Sequence, residues 1–267
     1  MIVLIAFIAI LTSSLTLGIF NTVRFLIANP DLENLRDTAT NLINTSNFWN
    51  LLNEILRGVL IIFLIKFINR KFNKSKISLI ELGLHFNFKQ LAYIISGIVL
   101  MSSIFLFSLF IDAGNQTVSD NLSITLSQNS IIMLILIAFA NAFWQEIVFR
   151  GYFQKRLINS YGILAGILLT SFLFTIIHGL ARDINLTEII LGTVLFTLIG
   201  IVYYLTNSIV FVTAIHAAGN FLLRSFGNNE LYIPGQEYRL MIFGIILILI
   251  MFIFRKTLFL QIKQLAE

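Results

Sequence analysis

The stretch SIIMLILIAFANAFWQEIVFR, residues 130–150, decides the fold class. It is apolar without interruption from Ile131 to Ala140, and its ionisable groups, Glu146 and Arg150, come only at its end. A run of about 20 predominantly apolar residues is what a helix needs to cross the hydrocarbon core of a bilayer. The rest of the chain has the same character: of 267 residues, 58% are hydrophobic and 12% charged, and the mean hydropathy is +0.91. Soluble domains carry roughly a quarter of their residues as charges, so this composition excludes one. Phe occurs 26 times and Pro twice, which excludes a disordered or collagenous chain.

Working outward, apolar stretches cover 2–27, 51–68, 91–111, 130–150, 162–179, 187–205, 207–223 and 240–258. They predict an all-α polytopic membrane protein with about eight transmembrane helices and no sizeable aqueous domain. The first stretch lacks the basic leader and small-residue cleavage site of a signal peptide and is expected to be a mature span. No internal repeat relates the two halves. Between 203 and 209 only Thr206, Asn207 and Ser208 separate two stretches, so two helices and one broken helix both stay open.

A net charge of +5 suggests nucleic acid in a soluble chain, but here the bases fall between apolar runs, where they set orientation. Lys66, Arg70, Lys71, Lys74, Lys76 and Lys89 face the single acid Glu81, so that connection is expected to be cytoplasmic. Alternation then puts the acidic 28–50 segment (Asp31, Glu33, Asp37) and Asp112 and Asp120 outside. It puts Lys155 and Arg156 inside with Arg255, Lys256 and Lys263, so both termini are expected to be cytoplasmic. Segment 69–90 reads as a solvated basic loop, with a short amphipathic element as the alternative, and His85 within it reads as solvated. Cys is absent, which excludes disulfides, thiolate ligands and a Cys nucleophile. A chain rich in Ile, Phe, Asn and Lys fits an AT-rich bacterial genome, and hence a bacterial cell membrane.

Ionisable groups within spans are costly unless paired or hydrated, so they mark where function resides. Three sets stand out: Gln145, Glu146 and Arg150; Phe174 and His178; His216 and Asn220. Within each set, residues four apart share one helix face. A carboxylate, two imidazoles and a carboxamide are the parts that activate water and stabilise an oxyanion. The imidazoles are also zinc-type ligands, so a zinc ion on His178 and His216 and no metal at all both stay open. A plainer reading makes Glu146 and Arg150 a structural ion pair and each His a hydrogen-bonding residue between helices. Trp144, Tyr152 and Phe174 read as packing or interfacial aromatics, and Gly151 and Gly219 as points of close helix approach. If the fourth span ended at Arg150, Glu146 and His178 would lie near opposite faces. They meet only if that helix continues to about Leu157, and it is expected to do so, with Arg150 satisfied by Glu146 inside the bundle.

The order and spacing of these sets resemble the CPBP group (CAAX proteases and bacteriocin-processing enzymes), also called the Abi family, of intramembrane endopeptidases. The family pattern is Glu-Glu-x-x-x-Arg, Phe-x-x-x-His and His-x-x-x-Asn or Asp on successive helices of an eight-span fold. The resemblance covers about residues 130–223 and divides the chain into N-terminal helices with the basic loop (1–129), a core carrying the motifs (130–223), and a last helix with its tail (224–267). It implies a proteolytic site of Gln145, Glu146, Arg150, His178, His216 and Asn220. Water would be activated near Glu146 and His178, with the oxyanion held by His216 and Asn220. Its substrates would be membrane-embedded or membrane-associated polypeptides, in contact with the lipid bilayer and not with nucleic acid. Where the family has the first Glu, assigned as the base, this chain has Gln145, which cannot accept a proton. Glu146 is turned by about 100° from it and needs a different rotation or a local bulge to take its place. A catalytically impaired relative serving as a binding scaffold or in bacteriocin self-immunity is therefore the alternative. A transporter is disfavoured by the missing repeat.

Overall fold

In lipid the backbone must bond to itself, and helices do so within one segment. The computed structural model describes Gly18 and residues 47–73, 78–85, 88–111, 131–179, 185–226, 241–246 and 249. Among these residues every regular element is helical: α1 (Asn47–Asn73), α2 (Lys89–Ile111), α3 (Ile131–Glu146), a π segment (Ile147–Gln154), α4 (Lys155–Tyr161), α5 (Ile163–Gly179), α6 (Leu186–Thr206) and α7 (Ile209–Phe226). Residues 241–246, within the expected last span, are also helical. The expected first span, most of the last, and the acidic outer segments lie outside the described residues.

Among the described residues three helical spans are long and apolar enough to cross a membrane: Lys89–Phe107, Ile131–Tyr161 and Leu186–Thr206. The residues they expose to their surroundings are large and apolar, among them Ile98, Val99, Leu106, Ile132, Ile135, Ile190 and Val194. The charged Glu146 and Arg150 are fully buried. This distribution, apolar outside and charge inside, is that of a membrane protein.

As the depth argument requires, the central helix continues past Arg150 through the π segment to Tyr161. The span Ile131–Tyr161 is 31 residues long with Glu146 at its middle. At 1.5 Å per residue it measures about 46 Å, against a hydrocarbon core of about 30 Å. Gly162, at φ +85, ends it with a backbone that a side chain would strain, and its N–H bonds to the Ile158 carbonyl at 2.9 Å. α5 then runs back alongside. Glu146 and His178 lie equally far along the chain from this turn, about 22 Å by helical rise, so the hairpin brings them level.

Every residue from Trp144 to Gln154 is buried, so this stretch is the axis of the bundle. α1 runs along it, held at one end by Glu54 to Asn141 and at the other by Arg156 to Asn69. α7 packs against α2 and α3, and α6 against α5. Between Thr206 and Ile209 the chain breaks into two helices: Asn207 adopts left-handed backbone at φ 47, and the Ser208 hydroxyl caps α7 by accepting the Phe211 N–H at 3.2 Å.

The basic connection differs from the solvated loop read in the sequence. Arg70 and Lys71 belong to the last turn of α1. Further on, Ser78 and Glu81 cap each other's backbone, and Leu82, Gly83 and Leu84 are buried against the end of the bundle. Leu82 packs there because Gly151 has no side chain: a Cβ on Gly151 would lie 2.6 Å from the Leu82 carbonyl oxygen. His85 is half-buried, 3.4 Å from Asn207, and not freely solvated.

Candidate active site

Glu146 is the last residue of α3, where the helix widens into the π segment. Such widened turns insert a residue's worth of backbone and recur at functional sites. Its carboxylate points into the bundle with no exposure, accepting a hydrogen bond from His216 Nδ1 at 2.7 Å. On its other side stands Arg150, with Nε 3.3 Å from Oε2 and both side chains fully buried. Arg150 donates to the Phe196 carbonyl at 2.9 Å and lies over the Phe174 ring, 5.4 Å from its centre. One turn further, Gln154 makes the same kind of bond to the Gly200 carbonyl at 2.8 Å. The two bonds fix α6 against the central helix.

Phe174 is the hub. Its ring, fully buried, meets His178 at 4.5 Å, Phe196 at 4.2 Å, Phe149 at 4.3 Å and His216 at 5.7 Å between centroids. Phe196 in turn lies 5.6 Å from His178 and 6.1 Å from His216. The two imidazoles, from α5 and α7, therefore share the same two aromatic neighbours.

Their hydrogen bonds fix a common tautomer. His216 faces a carboxylate and His178 faces the Phe174 carbonyl at 2.9 Å, and both partners only accept. In each neutral ring Nδ1 thus carries the proton and Nε2 the lone pair.

Gln145 and Asn220 belong to an adjoining amide cluster. Gln145 Nε2 donates to Asn141 Oδ1 at 3.1 Å, and Asn220 Nδ2 approaches the same oxygen at 3.4 Å. Gln145 and Glu146 both lie in the regular α-helix before the π segment, about 100° apart around its axis, which leaves Glu146 on His216 and Gln145 on Asn141, so the two neighbours serve different partners.

Residues 127–222 match a family model described as type II CAAX prenyl endopeptidase Rce1-like, just over a third of the chain. The match supports membership of the CPBP/CAAX protease family. No curated protein and no solved structure matches the chain. The family segment spans α3 to α7, so every site residue expected from the sequence falls inside it. Glu146, Arg150 and His216 are in direct contact, His178 joins them through Phe174, and Gln145 and Asn220 meet on Asn141.

Sequence reading missed Asn141, Phe196 and, outside the family segment, Glu54. Asn141 precedes Gln145 by one helical turn, the same four-residue spacing that singled out the other pairs. Glu54 and Arg57 are charges inside an apolar stretch, and the rule that exposed Glu146 applies to them equally.

A catalytic zinc takes three protein ligands. The two imidazoles are held through Nδ1 as zinc-binding imidazoles are, but among the described residues no three His, Cys, Asp or Glu side chains come together. This donor set does not fit a zinc centre held by protein ligands alone.

Proposed function

We propose that this protein is an intramembrane endopeptidase of the bacterial cell membrane, hydrolysing peptide bonds of membrane-embedded or membrane-associated polypeptides. The observation that carries the reading is the buried carboxylate–imidazole contact of Glu146 and His216 at 2.7 Å, beside a second imidazole. Gln145 cannot take a proton, and the Glu146 carboxylate, the other candidate, is engaged by His216 and Arg150, so the base role falls to His178. Its Nε2 accepts a proton from water as the water oxygen attacks the carbonyl carbon. His216 serves the oxyanion once its Nε2, which carries a lone pair in the neutral ring, has taken up a second proton, with Glu146 steadying the ring through Nδ1, and Asn220, one turn further along α7, adds an amide donor. On collapse the C–N bond breaks, and His178 returns its proton to the amine, leaving an acid and an amine. Bacteriocin precursors, signalling peptides and remnant signal sequences are the substrates expected.

The test is cleavage of a peptide library by purified protein in liposomes. His178→Ala and His216→Ala should each lower the rate by about 10²- to 10⁴-fold. Equal rates in wild type and both variants would refute the reading. Metal analysis of the same preparation decides whether zinc on His178 and His216 takes part.

One observation favours a second reading, an impaired scaffold or self-immunity protein: the amide of Gln145 stands where the family carries its base and is bonded to Asn141. No cleavage by wild type with a gain in Gln145→Glu would establish it.

A further inference from the structure

Glu54 reaches the amide cluster from α1, a helix outside the family segment. Its Oε2 accepts the Trp144 indole N–H at 2.7 Å and the Asn141 amide at 3.0 Å, while Oε1 faces Arg57 at 3.3 Å. A carboxylate only accepts, so Asn141 must turn its NH₂ toward Glu54 and its Oδ1 away. That oxygen also only accepts. Gln145 and Asn220 must therefore both present their NH₂ groups to it, as they do at 3.1 and 3.4 Å. Gln145 Oε1 is thereby turned to the opposite side, where it is buried without a hydrogen-bond partner among the described residues.

We propose that Glu54 is a positioning residue whose charge sets the polarity of three carboxamides, Asn141, Gln145 and Asn220. Gln145 then presents a bare carbonyl acceptor to the attacking water or the substrate amide, and Asn220 keeps its second N–H for the oxyanion. The roles toward substrate rest on the endopeptidase reading, whereas the polarity relay does not. A buried acceptor costs free energy until it is bonded, so a donor brought to this oxygen by the water or the substrate gains. Neutral amides alone have two consistent orientations of the chain of bonds; the carboxylate at one end leaves one.

A thermal-unfolding cycle in detergent tests this, using wild type, Glu54→Gln, Gln145→Glu and the double variant. Gln145→Glu alone sets two carboxylates against one NH₂ and should lower the unfolding temperature by about 4 °C. The double variant moves the carboxylate to the other end of the relay, Asn141 turns over, and at least half of that loss should return. Additive losses would overturn the proposal. A second readout is Trp144 fluorescence in a Trp49→Phe background, where Glu54→Gln should shift the emission and Glu54→Asp should restore it; an unchanged spectrum counts against the relay. In a cleavage assay Glu54→Gln should lower kcat several-fold with KM held, and Glu54→Asp should recover it. A wild type that cleaves nothing but shows recovery in the double variant refutes the endopeptidase reading and keeps the relay. Cleavage with additive losses does the reverse.

Discussion

Two Glu–Arg pairs on neighbouring helices share a separation of 3.3 Å and differ in their surroundings. Glu146 and Arg150 have no exposure, whereas Arg57 and Glu54 keep 28% and 15% of their side chains exposed. The inner pair is enclosed by His216, the Phe196 carbonyl and the Phe174 ring. The outer one leans on Trp144, whose ring lies 5.6 Å from the Arg57 guanidinium. Equal distance therefore means unequal energy. A partly exposed pair gains little because water competes, while an enclosed pair must hold together because water cannot replace either charge's lost partner.

The largest effect should come from separating the inner pair. Glu146→Ala leaves Arg150 buried and unpaired, a loss of about 3–5 kcal/mol that thermal unfolding in detergent would register. Replacing both charges, Glu146→Leu with Arg150→Met, should restore stability to near wild type, since well-packed apolar groups of similar volume often match a buried pair. That double variant should be folded and yet inactive in the cleavage assay. Should it be active, Glu146 would be structural only and the role given to it through His216 would fall.

The same contrast explains what could be read from the sequence. The helical membrane class was legible because spanning requires long apolar runs, and the motif residues because ionisable groups are rare within them. Continuation of the helix past Arg150 could be argued from depth alone, before any contact was known. The widening at Ile147–Gln154 was not legible, since no residue type marks a π turn, and it begins only after Glu146, so it is not the bulge that would turn Glu146 into the place of Gln145. The packing of Leu82 and Leu84 was hidden by the basic residues around them, which suggested a solvated loop. Glu54 was missed for another reason: its partners Asn141 and Trp144 are distant in sequence, and only the parallel run of α1 beside the central helix joins them.

Smaller effects should mark the outer pair. Trp144→Phe removes an indole donor from Glu54 and should cost about 1.5–3 kcal/mol, the range for a hydrogen bond to a charged group. Arg57→Ala should cost less than about 1 kcal/mol. Salt separates the two pairs further, because raising it from 0.1 M to 1 M shortens the screening length from about 10 Å to about 3 Å. The stability difference between wild type and Arg57→Ala should shrink over that range, while the difference for Glu146→Ala should persist, because ions in solution do not reach a pair with no exposure. If both differences faded together, the inner pair would have to be hydrated. The free-energy argument for its enclosure would then fail, even with the 3.3 Å contact intact.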